Sequence, residues 1–260
     1  MLSFVGTPKA FVEPFATIQR NAICSWKEID PDGEVLLFGD DEGVAEFAQE
    51  IGARHIPEVA TTDDGIPLLG DILTQAQELA RHDLMAFANA DIVLGPELVA
   101  ATRELLGWRS RFLMTGRRTN MPLDAIDFSG DWSREVRETA HRQGTLHPGT
   151  DYFVFPRSLW AEIPPFIIGR ESWSCWLLSQ ARQRGAVVVD ATEVVWAIHQ
   201  EHPYNRSLFK SKDWLTNEDL LGGQHNAFLA PECTHALSPR GIRVRCRGCH
   251  PVCVCHFEEP

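Results

Sequence analysis

The sequence predicts one α/β domain built on a mostly parallel sheet flanked by helices. Three observations carry that expectation. Over residues 1 to about 100, short β-rich runs alternate with amphipathic helical patterns, the signature of βαβ units. The run Leu84 to Ala88 is apolar throughout, as a strand covered on both faces must be. The 260 residues are 44% hydrophobic and 23% charged, enough to bury a full core without staples and unlike a disordered chain.

Taken in order, Leu2 to Val5 is a first strand. Phe15, Ile18, Ala22, Ile23 and Trp26 then recur at helical spacing, with Gln19, Arg20 and Lys27 on the other face. Pro31-Asp32-Gly33 is a turn, because Pro presets φ and Gly permits a left-handed backbone. Glu34 to Phe38 is the second strand and ends in Gly39-Asp40-Asp41. A helix over Ala45 to Ile51 leads to a strand around His55 to Val59, and Ile72, Leu73, Ala76, Leu79 and Ala80 mark the next helix. After Leu84 to Ala88, Pro96 and Gly107 bracket a further helix. The second half is less regular: strands are expected at Arg111 to Gly116, Tyr152 to Phe155, Ala186 to Val189 and Glu193 to Ala197, and a helix at Trp173 to Gln183.

Composition divides the chain near residue 230. The expected domain is 1–232, and 233–260 reads as a Cys- and Arg-rich, poorly ordered tail. Cys246, Cys249, Cys253 and Cys255, with His250 and His256, offer soft ligands, but their spacing matches no standard zinc pattern. An odd count of 7 cysteines, so clustered, is unlike a secreted disulfide framework. No run of 18 apolar residues and no signal-peptide pattern is present, so a cytoplasmic protein without a membrane span is expected. The formal net charge of -12 argues against nucleic acid, because a phosphate-tracking surface needs clustered Lys and Arg.

Open α/β sheets bind ligands beyond the carboxyl ends of their strands. Here those ends carry Thr7-Pro8-Lys9, Asp40-Asp41 and Asn89-Ala90-Asp91. Asp40-Asp41 can be read as a ligand site or as a turn leading into a helix N-terminus. Asp91, delivered by an apolar strand, is a hard oxygen ligand suited to magnesium or manganese, or else a cap on the following turn.

Phe87-Ala88-Asn89-Ala90-Asp91-Ile92 resembles the Asn-Ala-Asp variant of the Asp-X-Asp motif of GT-A glycosyltransferases, the nucleotide-diphosphate-sugar transferases. Thr7-Pro8-Lys9, Ile18 to Ala22, Leu36 to Gly43, Asp151 to Pro156 and Asp190 to Gln200 resemble further blocks of a bacterial subgroup related to family 2 glycosyltransferases. The likeness runs in order over about residues 3 to 205.

It implies a single GT-A-like domain that moves a sugar from a nucleotide-diphosphate donor to an acceptor, whether glycan, lipid or small molecule. Thr7, Lys9, Asp40, Asn89, Asp91 and Arg170 would contact the donor. Asp91 and His199 would hold a divalent ion, manganese or magnesium, though a lone His after a strand is more often structural. Lys9, Arg117, Arg118 or Arg170 could add positive charge near the phosphates.

The sequence departs from the family at Gly169-Arg170-Glu171-Ser172-Trp173-Ser174-Cys175-Trp176, where relatives read Gly-Arg-Pro-Gly-Trp-Asp-Asn-Trp. Ser174 therefore stands at an acidic position that would deprotonate the acceptor in an inverting enzyme. Glu171 or Asp151 could substitute, or activity is weakened and the protein binds a sugar nucleotide without efficient turnover. Trp173 and Trp176 read as core ahead of a sugar-stacking platform. A sugar-phosphate nucleotidyltransferase is the rival enzyme, disfavoured because Gly6-Thr7-Pro8-Lys9 is too short and lacks the Arg of its phosphate loop.

Overall fold

The computed structural model describes residues 1–202, 212–222 and 233–244. The first half alternates as the hydrophobic periodicity requires: β1 (Ser3–Gly6), α1 (Phe15–Ile29), β2 (Glu34–Phe38), α2 (Val44–Ile51), β3 (Arg54–Ile56), α3 (Leu69–Leu79), β4 (Leu84–Ala88), β5 (Ile92–Leu94) and α4 (Glu97–Trp108). Then follow β6 (Phe112–Thr115), β7 (Arg118–Met121), α5 (Trp132–Gln143), β8 (Thr145–His147), β9 (Tyr152–Pro156), α6 (Trp173–Gln183), β10 (Val187–Asp190), β11 (Ala197–Gln200), α7 (Lys212–Leu221), β12 (His235–Ser238) and β13 (Gly241–Val244).

Among the described residues the large sheet has nine strands in the order β13-β12-β10-β6-β9-β4-β1-β2-β3. β1 pairs in parallel with β2 and β4, β2 with β3, and β10 with β6 and β12. β9 runs antiparallel between β4 and β6, so the sheet is mixed at its centre. Strand alternation feeds two cores. Phe4, Val35, Leu37 and Ala86 face α1, α2 and α4, where Trp26, Phe47 and Leu98 are buried. Val5, Leu36, Phe38, Phe87 and Phe153 face α3 and α6.

A second sheet, β5-β11-β7-β8, stands beside the first. Little in the chain announces it: β5 has 3 residues, and Arg118-Thr119-Asn120 of β7 is polar. Helix α1 anchors it through Trp26, whose indole N–H donates to the Ile92 carbonyl at 2.9 Å, and through Ser25, whose hydroxyl accepts from Leu94 N at 3.1 Å.

Three expectations need correction. The strand expected at His55 to Val59 ends at Ile56, and the next residue is Pro57, which has no N–H to give a ladder. The strand expected at Glu193 to Ala197 is instead Ala197–Gln200, because Val194 N and Val195 N turn back onto the Ala191 carbonyl. His199 thus lies within a strand rather than after it. Residues 233–244, assigned to the tail by composition, form the β12–β13 hairpin on the edge of the large sheet, with Ala236, Leu237 and Ile242 buried. The zinc-ligand candidates from Cys246 onward lie outside the described residues.

Candidate active site

Strand β4 delivers Asn89-Ala90-Asp91 to the carboxyl edge of the sheet, and the chain enters β5 at once, closed by Ile92 N donating to the Asn89 carbonyl at 3.0 Å. The antiparallel register of β5 with β11 pairs Ile92 with His199, which brings His199 alongside Asp91. His199 Nε2 lies 3.4 Å and His202 Nε2 3.3 Å from Asp91 Oδ2. The three ligand atoms lie within 4.8 Å of one another, and the two imidazole rings are 5.4 Å apart. Burial pushes the Asp91 carboxyl up, but the two histidines outweigh it and hold the group well below the usual carboxylate range. Its Oδ1 is buried and has no hydrogen-bond partner among the described residues. A buried carboxylate with one oxygen left without a donor and the other against two imidazoles fits a divalent cation.

Asp151 arrives by the same kind of register. β9 pairs Tyr152 with Ala88, so Asp151 stands opposite Asn89. Asn89 N donates to the Asp151 carbonyl at 3.0 Å, and the Asn89 amide donates to Asp151 Oδ1 at 2.8 Å. Asp151 Oδ2 accepts from Arg118 Nη1 at 2.8 Å in a largely buried ion pair, each side chain 14% exposed. Burial holds the Asp151 carboxyl above its ordinary range; Arg118 pulls it down and the nearby Asp91 charge pushes it up.

No protein-family model matches the chain, and a search of curated proteins finds no match either. Solved structures do match. S. aureus TarS in complex with UDP-GlcNAc superposes with a TM-score of 0.53 at 13% identity, covering 87% of this chain and 69% of that one. M. tuberculosis glucosyl-3-phosphoglycerate synthase superposes with a TM-score of 0.52 at 13% identity, covering 90% and 83%. The same enzyme in complex with Mn2+ and UDP-Glc gives 0.50 at 14% identity over 94% and 86%.

The chain has a GT-A nucleotide-sugar transferase fold.

Within this GT-A domain a buried polar network steadies the cluster from behind. Gln200 Nε2 donates to the carbonyls of Ile18 at 2.8 Å and Asp91 at 3.2 Å. The Asn21 amide donates to Gln200 Oε1 at 2.8 Å and to the Asp124 carbonyl at 2.9 Å, and Asn21 Oδ1 accepts from Ile126 N at 2.9 Å. Gln19 clasps the Lys9 main chain from both sides, accepting from its N–H at 2.6 Å and donating to its carbonyl at 2.9 Å. The Ile18 to Ala22 block is thereby explained: this turn of α1 holds both the Thr7-Pro8-Lys9 segment and the Asp91 turn.

The GT-A domain sorts the other expected residues. Thr7 is half-buried beside Gly39, so the ends of β1 and β2 meet, while Asp40 and Lys9 are exposed. The Lys9 ammonium lies 4.6 Å from the Phe15 ring, and Phe15 packs edge-on against His202 at 5.2 Å. Arg170 is buried and paired with Asp213 of α7 at 3.2 Å. Trp173 and Trp176 are core, Trp173 packing edge-on against Phe87 and Phe153 and Trp176 against Trp160 and Phe166. That packing sets the start of α6, with Glu171 and Ser174, beside the strands that carry Asn89 and Asp151. Glu171 is exposed, and partial burial and the Glu218 charge raise its carboxyl above its ordinary range.

Two residues escaped the sequence reading. His202 follows His199 by three positions, and that spacing was the available signal. Arg118 was one of four possible cations, and only the β7–β8 and β9 registers single it out. Among the described residues no helix is long and apolar enough to cross a membrane.

Proposed function

We propose that the protein is a glycosyltransferase using a nucleotide-diphosphate sugar, with Asp91, His199 and His202 as ligands of a divalent cation. The observation that carries this reading is the Asp91–His199–His202 cluster at the carboxyl edge of a GT-A sheet, where donor phosphates belong by the strand-end rule. The structural neighbours are described in complex with UDP-GlcNAc, or with Mn2+ and UDP-Glc, which supports the same reading. A carboxylate with two imidazoles favours manganese over magnesium, which prefers oxygen ligands throughout.

Bound there, the ion would supply Lewis-acid charge to the departing diphosphate. The protein's own part is positional. Asn89, fixed by Asp151, holds the turn that aims Asp91, and Thr7 with Gly39 shapes the nucleotide end of the crevice. Both Asp151 oxygens are engaged by Asn89 and Arg118, which leaves Glu171 as the acidic side chain free to take the acceptor proton. The raised Glu171 carboxyl suits that role.

A panel of nucleotide-diphosphate sugars incubated with the protein and Mn²⁺ tests the reading. We expect slow metal-dependent donor hydrolysis without acceptor, abolished by EDTA. Ser174 favours a second reading, a sugar-nucleotide binding protein with little turnover. Donor binding without hydrolysis, converted to hydrolysis by Ser174→Asp, would establish it; absence of donor binding sinks both readings.

A further inference from the structure

Helix α7 grips the loop that carries Glu171. Asn217 of α7 is fully buried, and its amide is spent on the backbone of that loop. Its Oδ1 accepts from Ile167 N at 2.8 Å, and its Nδ2 donates to the carbonyls of Ile167 and Glu171, each at 3.0 Å. One turn earlier Asp213 holds Arg170 at 3.2 Å, in a pair whose side chains are 20% and 7% exposed. Residues a turn apart share a helix face, so one face of α7 makes all of these bonds. The loop needs such a hold. Gly169 (φ +74°) and Ser172 (φ +83°) are both left-handed, and α6 begins after Ser172 with no side-chain cap. Trp173 fixes the other end between Phe87 and Phe153. Glu171 remains exposed between the two anchors. Partial burial and Glu218, the residue after Asn217, raise its carboxyl. The other titratable or charged groups around it, among the described residues, are Cys175 of α6 and the Arg170–Asp213 pair.

We propose that α7, through Asn217 and Asp213, sets the place of the Glu171 carboxylate at the acceptor, which makes Asn217 a positioning residue for the transfer. The inference rests on the glycosyltransferase reading. In the step it serves, the acceptor oxygen bonds to the anomeric carbon, the bond from that carbon to the diphosphate oxygen breaks, and the diphosphate leaves with the electron pair. Glu171 takes the acceptor's proton. In donor hydrolysis water stands in for the acceptor. A staple that served only the fold would have no reason to act on the rate or on the Glu171 titration.

The test follows hydrolysis of UDP-glucose and UDP-GlcNAc by the full chain in Mn²⁺ against pH, beside a carbon-13 NMR titration of the Glu171 carboxyl, assigned with Glu171→Gln. In Asn217→Ala we expect the Glu171 midpoint to fall toward that of an ordinary glutamate and kcat to drop about tenfold or more, with KM for the donor within about twofold. Glu218→Gln keeps the loop in place and removes one cause of the raised carboxyl, so it should move both the midpoint and the acid limb of the rate profile to lower pH. Thermal melts check folding; if Asn217→Ala does not fold, Asp213→Asn, which removes only the Arg170 pair, takes its place with the same expectations. A folded variant whose Glu171 midpoint and kcat both match the wild type overturns the proposal, whatever stability it has lost. A wild-type protein that hydrolyses neither donor fails the transferase reading separately, and the NMR midpoints then still decide whether α7 sets Glu171.

Discussion

Ser172 is the residue whose backbone departs furthest from what its side chain favours. It has φ +83° just before α6, a conformation suited to glycine. Ser172→Gly should therefore stabilise the fold by about 1 kcal/mol. Urea denaturation at equilibrium measures it, and a destabilised variant would mean that the Ser172 side chain makes a compensating interaction.

At the scale of elements, residues far apart in sequence are brought together by register. Asp91 and His202 are 111 positions apart, and they meet because β5 and β11 are antiparallel neighbours. Helix α1 is the common support, through Asn21, Gln200 and the carbonyl of Asp91. Asn21→Ala leaves Gln200 Oε1 and Ile126 N without their buried partner. It should cost about 1–3 kcal/mol and also weaken Mn²⁺ binding. A loss of stability in denaturant melts with Mn²⁺ affinity intact would show that the network supports only the fold.

The same distinction explains what was legible in the sequence. The apolar run Leu84 to Ala88 ending in Asn-Ala-Asp announced the Asp91 turn, because strand, strand end and acid are contiguous. His199 followed from its block. His202, Arg118 and the second sheet did not, since β5, β7 and β8 are short and partly polar and exist through long-range pairing. Arg170 has its partner, Asp213, from α7, and a local block cannot reveal such a pairing.

At the scale of the whole molecule, the α/β alternation of the first half was plain because buried strands and amphipathic helices follow simple periods. The edge was not. Cysteine and arginine composition set the boundary too early, and β12 hides its strand character in four residues, His235–Ser238. Leu237 is fully buried in the core cluster that also holds Leu98 and Leu105 of α4. Leu237→Ala should cost about 2–5 kcal/mol, the usual loss for a truncated core leucine. A melting temperature unchanged by that substitution would mean that the hairpin is not part of the cooperative unit.

The central claim is that one divalent ion sits on Asp91, His199 and His202 at the carboxyl edge of this sheet. Paramagnetic titration of Mn²⁺ into the protein and into Asp91→Ala tests it most directly. The account predicts one saturable site in the wild-type protein, with affinity lowered about 100-fold or more by Asp91→Ala while the fold is retained. Equal Mn²⁺ binding by the two proteins would contradict it.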